Sequence, residues 1–274
     1  MKLYVSVDME GITGLPDYTY VDENVHNYHY GAKIMTKEAN AIVEGALAAG
    51  ATDVTVNDSH ENMTNLIAEL LHPEATLISG GRKPLSMMEG VDETYDGVVF
   101  AGYHARAGMP GIMSHTISLT IRNMWINDVL VGEIGLNAYV AGHFGVPVIM
   151  VAGDDGACKE AEELLPNVVT VPVKETISRS AMHSMHPEKS RALLKEKIQE
   201  ALEQKNDIKP FIPPRNPVIR VEFNNYGQAE SAAQIPGCTL EENTTIVRFE
   251  AKDILEAYQA MLVMIRLTGT TTYS

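Results

Sequence analysis

Leu3-Tyr4-Val5-Ser6-Val7-Asp8-Met9-Glu10-Gly11 reads as a short β-branched strand that runs into two acidic residues and a glycine. Downstream lies Ala32–Ala49, with apolar residues at Ile34, Ala39, Ile42, Val43, Ala46 and Leu47. That spacing is close to a helical period, and Gly50 follows as a stop signal. A second β-branched run, Asp53-Val54-Thr55-Val56-Asn57, comes next. Strand, helix and strand of these lengths make a βαβ unit, so the sheet is expected to be mainly parallel and covered by helices. Further strands are expected at Thr76–Ser79, Gly97–Ala101, Val148–Val151 and Val168–Val171.

The stretch Thr116–Leu130 has another rhythm. Ile117, Leu119 and Ile121 alternate with polar residues, and Asn127-Asp128 separates two short apolar runs. This predicts an antiparallel hairpin inserted into the α/β part. A helix is expected around Leu136–Gly142, ended by Gly145 and Pro147. Pro187 opens another, over Pro187–Gln204, with Leu194, Ile198, Ala201 and Leu202 on one face. The prolines of 209–214 make an extended connector, and strands near Val218–Phe223 and Thr245–Phe249 precede a last helix over Lys252–Leu267. The expected organisation is an α/β catalytic domain over residues 1–180 and a smaller α+β domain over 181–274.

The totals narrow the function classes. A chain of 274 residues with net charge -15 lacks the clustered Lys and Arg that phosphate backbones and anionic membranes demand. No apolar run is long enough for a membrane span, and the N-terminus has no signal-peptide core. Cys158 and Cys238 form no CxxC pair, which points to a reducing, cytoplasmic location and away from a cysteine zinc site. An acidic surface also serves solubility alone.

Asp8 and Glu10 are two apart on an extended chain, so their carboxylates face the same side. Such a pair repels unless a cation sits between them or one is protonated. A solvated acidic turn explains the pair equally well. His60, in Asn57-Asp58-Ser59-His60, and His104, in Gly102-Tyr103-His104, each follow an expected strand. A lone histidine there is more often a capping or packing residue. But ligands in open α/β sheets gather at the carboxyl ends of strands, and all four residues fall there. Glu133 sits between glycines in Gly132-Glu133-Ile134-Gly135, where either an exposed turn or a partnered carboxylate fits. His115 ends a glycine- and proline-bearing loop that starts at His104. His26, His29, His72, His143, His183 and His186 lack a comparable setting. His183 and His186 are the best rival pair, with no matching carboxylates.

Five separated motifs in order, Ser6–Gly11, Asn57–His60, Gly102–Ala105, Met113–His115 and Gly132–Asn137, resemble the D-aminopeptidase family of zinc peptidases, the type associated with bacterial dipeptide-transport operons. Two later segments, Asn225–Glu230 and Ala257–Met264, resemble it as well. The resemblance implies two Zn2+ ions per subunit, with Asp8 bridging and Glu10, His60, His104 and Glu133 completing the ligands. It implies His115 as the catalytic residue and short peptides with an N-terminal D-residue, such as D-Ala-D-Ala, as substrates. It also implies a ring-shaped homo-oligomer, a decamer. Oxygen and imidazole donors suit zinc, manganese or cobalt rather than copper(I) or an iron–sulfur cluster. Two rivals remain at this stage: another two-metal amidase or phosphoesterase, and a metal-binding module without turnover.

Overall fold

A parallel strand buried on both faces needs apolar side chains on both. The first strand, β1 (Lys2–Val7), has them: Leu3, Val5 and Val7 pack on one side and Tyr4 on the other. In the computed structural model, which describes residues 1–269, β1 continues into α1 (Tyr28–Ala48) and β2 (Asp53–Asp58). Then follow β3 (Ala75–Ile78), β4 (Gly97–Tyr103), β5 (Ile121–Ile126), β6 (Val129–Leu130) and α2 (Glu133–His143). The middle of the chain forms β7 (Val148–Asp154), α3 (Asp155–Leu164), β8 (Val169–Ser178), β9 (Ala181–Ser184) and α4 (Pro187–Gln204). The last elements are β10 (Val218–Phe223), α5 (Tyr226–Ala232), β11 (Cys238–Leu240), β12 (Ile246–Glu250) and α6 (Ile254–Thr268).

Seven strands make the main sheet, in the order β3-β2-β1-β4-β7-β8-β9. All neighbours are parallel except β9, which turns back on β8. From β1 the chain winds outward to β2 and β3, then returns to β4 and winds the other way. The reversal falls between β1 and β4, where an open α/β sheet leaves a crevice beyond its carboxyl ends. One face of the sheet is covered by α1 and α4, which pack on each other. The other face carries α2, α3, α6 and a second, antiparallel sheet ordered β11-β12-β10-β5-β6.

The βαβ unit and mainly parallel sheet match the expectation, and the differences have local causes. Helix α1 starts four residues ahead of the expected Ala32, through Tyr28, His29, Tyr30 and Gly31. These are modest helix formers, held by the contact of Gly31 with the Tyr20 backbone. The hairpin turn does fall at Asn127, whose φ of 53 suits it. The alternating residues before it, however, are strand only from Ile121. Ile117 adopts a φ of 55 and donates its N–H to Glu133 Oε1 at 2.6 Å, which takes it out of any ladder. The expected 180/181 boundary lies in the turn between β8 and β9. Beyond it, β9 joins the first sheet and α4 packs against α1 and β8, while β10, β11 and β12 join β5 and β6.

Candidate metal centre

Each parallel strand near the crevice ends on a residue that the sequence singles out. Asp8 and Glu10 follow β1, His60 follows β2 and His104 follows β4, while Glu133 opens α2. All five side chains are buried. Gly11 permits the convergence: its N–H donates to Gly102 O at 2.7 Å, and a side chain there would collide with the Tyr103 carbonyl. The glycine thus serves a close approach of β1 and β4, not a phosphate-binding turn.

His60 Nδ1 lies 3.3 Å from Asp8 Oδ1 and 2.9 Å from Glu10 Oε2. His104 Nε2 lies 3.4 Å from both Asp8 Oδ2 and Glu133 Oε1. His115 Nε2 stands farther back, 3.9 Å from Glu10 Oε1 and from Glu133 Oε1, with its ring stacked on His104 at 4.2 Å. The remaining ring nitrogens face backbone carbonyls: His60 Nε2 meets Val21 O at 3.0 Å, His104 Nδ1 meets Ala105 O at 3.0 Å, and His115 Nδ1 meets Met113 O at 2.9 Å. A carbonyl can only accept, so those nitrogens carry the protons. In their neutral forms all three imidazoles therefore aim bare lone pairs at carboxylates.

Lone pairs facing lone pairs in a buried site repel unless a cation sits between them or a proton is taken up. Asp8 Oδ2, Glu10 Oε2 and His104 Nε2 are buried with no hydrogen-bond partner. Burial and the neighbouring Glu10 push the Asp8 carboxyl up to about 7. Burial opposes the charged imidazole in His60 and His104, yet the carboxylates hold both well above the ordinary histidine range. For His115, burial and then His104 lower the value, so its neutral form dominates. Among the described residues, the donor atoms fall into three groups, each within 4.8 Å: Asp8–Glu10–His60, Asp8–His104–Glu133 and Glu10–His104–His115. The first two share Asp8. The residues fit two adjacent divalent ions, with Asp8 able to give one oxygen to each. The rival pair His183 and His186 is absent from these groups, and His186 instead caps α4 through Glu188 N.

Several supporting residues were not legible in the sequence. Lys174, on β8, is buried and donates to the carbonyls of Glu10, Ile12 (3.0 Å) and Leu15 (2.8 Å). Asp154 accepts from Ile112 N and Ala157 N, both at 2.7 Å, and so anchors the loop between His104 and His115. Arg179 donates to Ser114 O, beside His115. Glu160 accepts from Arg106 N at 2.8 Å and Gly132 N at 3.2 Å, tying the segments after His104 and before Glu133. Asp58, inside a quoted motif, accepts from Asn65 N and Leu66 N at 2.6 Å and turns away from the cluster. A lone acid or lysine in a strand or helix gives no sequence signal of such roles. Only the N-cap position of Asp154 before α3 was there to be found.

Burial raises the Glu160 carboxyl to about 7. Its folded-state value exceeds the unfolded one, so the folded chain holds more protons between about pH 4.5 and 7 and its stability falls as pH rises through that window. Glu160→Gln, which copies the protonated acid, is expected to flatten that segment of a melting-temperature profile. An unchanged slope would remove Glu160 as its source.

A cleft of about 420 Å³ opens over the cluster. The D-aminopeptidase model of peptidase family M55 matches residues 1–263. The chain belongs to the M55 D-aminopeptidase family. It is 58% identical, over 273 residues and 100% of both chains, to a D-aminopeptidase of Bacillus subtilis strain 168. Among solved structures it superposes on the Zn-dependent D-aminopeptidase DppA from Bacillus subtilis, a self-compartmentalizing protease. That match has a TM-score of 0.99 at 58% identity and covers 100% of both chains. In this M55 chain, the family resemblance drawn from five motifs and the α/β fold both hold.

Proposed function

We propose that this protein is a zinc-dependent aminopeptidase that removes the N-terminal residue from short peptides, preferring D-residues of the D-Ala-D-Ala type. Two zinc ions per subunit would be held by Asp8, Glu10, His60, His104 and Glu133. The observation that carries the reading is the pair of ligand groups sharing Asp8, with orphaned buried atoms on Asp8, Glu10 and His104. Two divalent ions in such a site activate a water and polarise the scissile carbonyl.

The chain's own residues supply the rest. The backbone carbonyls of Val21 and Ala105 fix the tautomers of His60 and His104 and keep their free nitrogens inward. Met113 O does the same for His115, leaving Nε2 to take up a proton and return it to the leaving amine. Its lowered pKa keeps it a base at neutral pH. Ile117, Leu119 and Leu262 give the cleft over the cluster an apolar part to its lining. The similarity to a self-compartmentalizing protease supports a homo-oligomer, which we take to be a decamer. Two free cysteines suit a cytoplasmic setting, and none of the described helices is long and apolar enough to cross a membrane.

Chelation is expected to abolish hydrolysis of a D-alanyl dipeptide, and zinc to restore it. A chelator-resistant rate would end the metallopeptidase reading. His115→Ala is expected to lose roughly 10²–10⁴-fold in kcat with bound zinc retained, measured side by side by kinetics and metal analysis. Loss of zinc in that variant would make His115 a ligand instead, as its group with Glu10 and His104 allows.

A further inference from the structure

The cleft carries charge that the metal cluster does not use, and that charge is divided between two walls. On the His60 wall, Val21 O accepts from His60 Nε2, so the next residues along each chain segment, Asp22 and Glu61, flank that histidine and line the cleft. Glu61 holds a left-handed φ of 47, which marks a constrained turn. A second wall is made by the segment after His115 and the last turn of α6. Thr120 Oγ1 and Thr268 Oγ1, 3.3 Å apart, lie where these two elements meet. From α6, Leu262, Ile265 and Arg266 reach the cleft. Arg266 is the sole lysine or arginine among the described lining residues, and no described carboxylate lies within 4.0 Å of it. Ile117, Leu262 and Ile265 add apolar side chains to the same lining.

A zwitterionic peptide has the complementary arrangement: an ammonium at one end, a carboxylate at the other, and the scissile carbonyl between. We propose that the cleft reads both termini of its substrate, with Asp22 and Glu61 receiving the N-terminal ammonium and Arg266 receiving the C-terminal carboxylate. Unblocked di- and tripeptides are then the preferred class, and the cleft measures peptide length by the span between its charged walls. This assignment rests on the aminopeptidase reading and deepens it. A guanidinium suits the role because its planar fork matches a carboxylate with two parallel hydrogen bonds. Once an unpaired cationic group is built to meet a substrate carboxylate, an analogue lacking that group forfeits the pairing. Arg266 is exposed, so the pairing is screened by salt and its effect is moderate.

The test compares D-Ala-D-Ala with its C-terminal amide, which differ only in that charge, using the full-length zinc-loaded protein. The wild type is expected to favour the free acid in kcat/KM by about tenfold, mainly through KM, with the preference shrinking as salt is raised. Arg266→Met should erase the preference, and Arg266→Lys should keep part of it. Calorimetric titration of both ligands in the His115→Ala background reads the same discrimination without turnover. If acid and amide bind and react alike in the wild type, or if Arg266→Met weakens both equally, the proposal is wrong. If the wild type binds the acid preferentially but cleaves neither peptide, the two-ended recognition stands and the aminopeptidase reading fails.

Discussion

Asp8→Ala is expected to leave fewer than one zinc per subunit and to lower kcat/KM by more than about 10³-fold. Asp8 belongs to the Asp8–Glu10–His60 and Asp8–His104–Glu133 groups, so its removal weakens both of those positions at once. Glu10→Ala provides the contrast. Glu10 contributes to the Asp8–Glu10–His60 group and, with His104 and His115, to the third, but the Asp8–His104–Glu133 group does not need it. That variant should therefore keep close to one ion per subunit. Elemental analysis of the two variants beside the wild type decides the matter: equal zinc loss in both would deny Asp8 its shared position.

The second large effect is expected at Lys174. Its ammonium meets three carbonyls of the loop that carries Glu10. Burial pushes its pKa down to about 8, so the charge is costly to hold there, and the three acceptors offset that cost. Lys174→Met fills similar space but takes the donor from the Glu10 and Leu15 carbonyls and leaves Ile12 O with only Leu15 N at 3.4 Å. Each carbonyl left unpaired and dry costs about 1–3 kcal/mol. A net loss of about 3 kcal/mol is expected, which lowers Tm by roughly 6–12 °C in a chain of this size. Zinc affinity should weaken about 10–100-fold, as when a partner that orients a ligand is lost. Thermal melts and competition titrations with a zinc chelator report the two effects separately. A lower Tm with unaltered affinity would confine Lys174 to holding the fold.

Much of the centre was legible because its residues lie where strand periodicity breaks. Asp8, Glu10, His60 and His104 each interrupt or follow a β-branched run, and the carboxyl ends of parallel strands share one edge of the sheet. Glu133 was visible through flanking glycines, although the helix it opens begins three residues earlier than the apolar pattern at Leu136 implied. The segment 116–120 misled for a physical reason. Alternation there predicts a strand, but the hydrogen bond from Ile117 to Glu133 overrides it and leaves a single bridge between Thr116 and Ser118. Lys174, Asp154 and Glu160 act on residues far away in sequence, so no local pattern announces them. The mixing of β5 and β6 with β10, β11 and β12 is likewise a tertiary fact: strand pairing across that distance depends on which faces the core buries.

The position of Lys174 on β8 has a consequence for assembly in time. During synthesis, every carboxylate and imidazole of the cluster is made before this lysine. Only when β8 docks beside β7 does its ammonium reach the Glu10 loop. A nascent chain that carried a finished cluster early would be free to capture whichever cation arrived first. Here the last brace arrives with β8, so a cluster able to hold its cations firmly would wait for the fold.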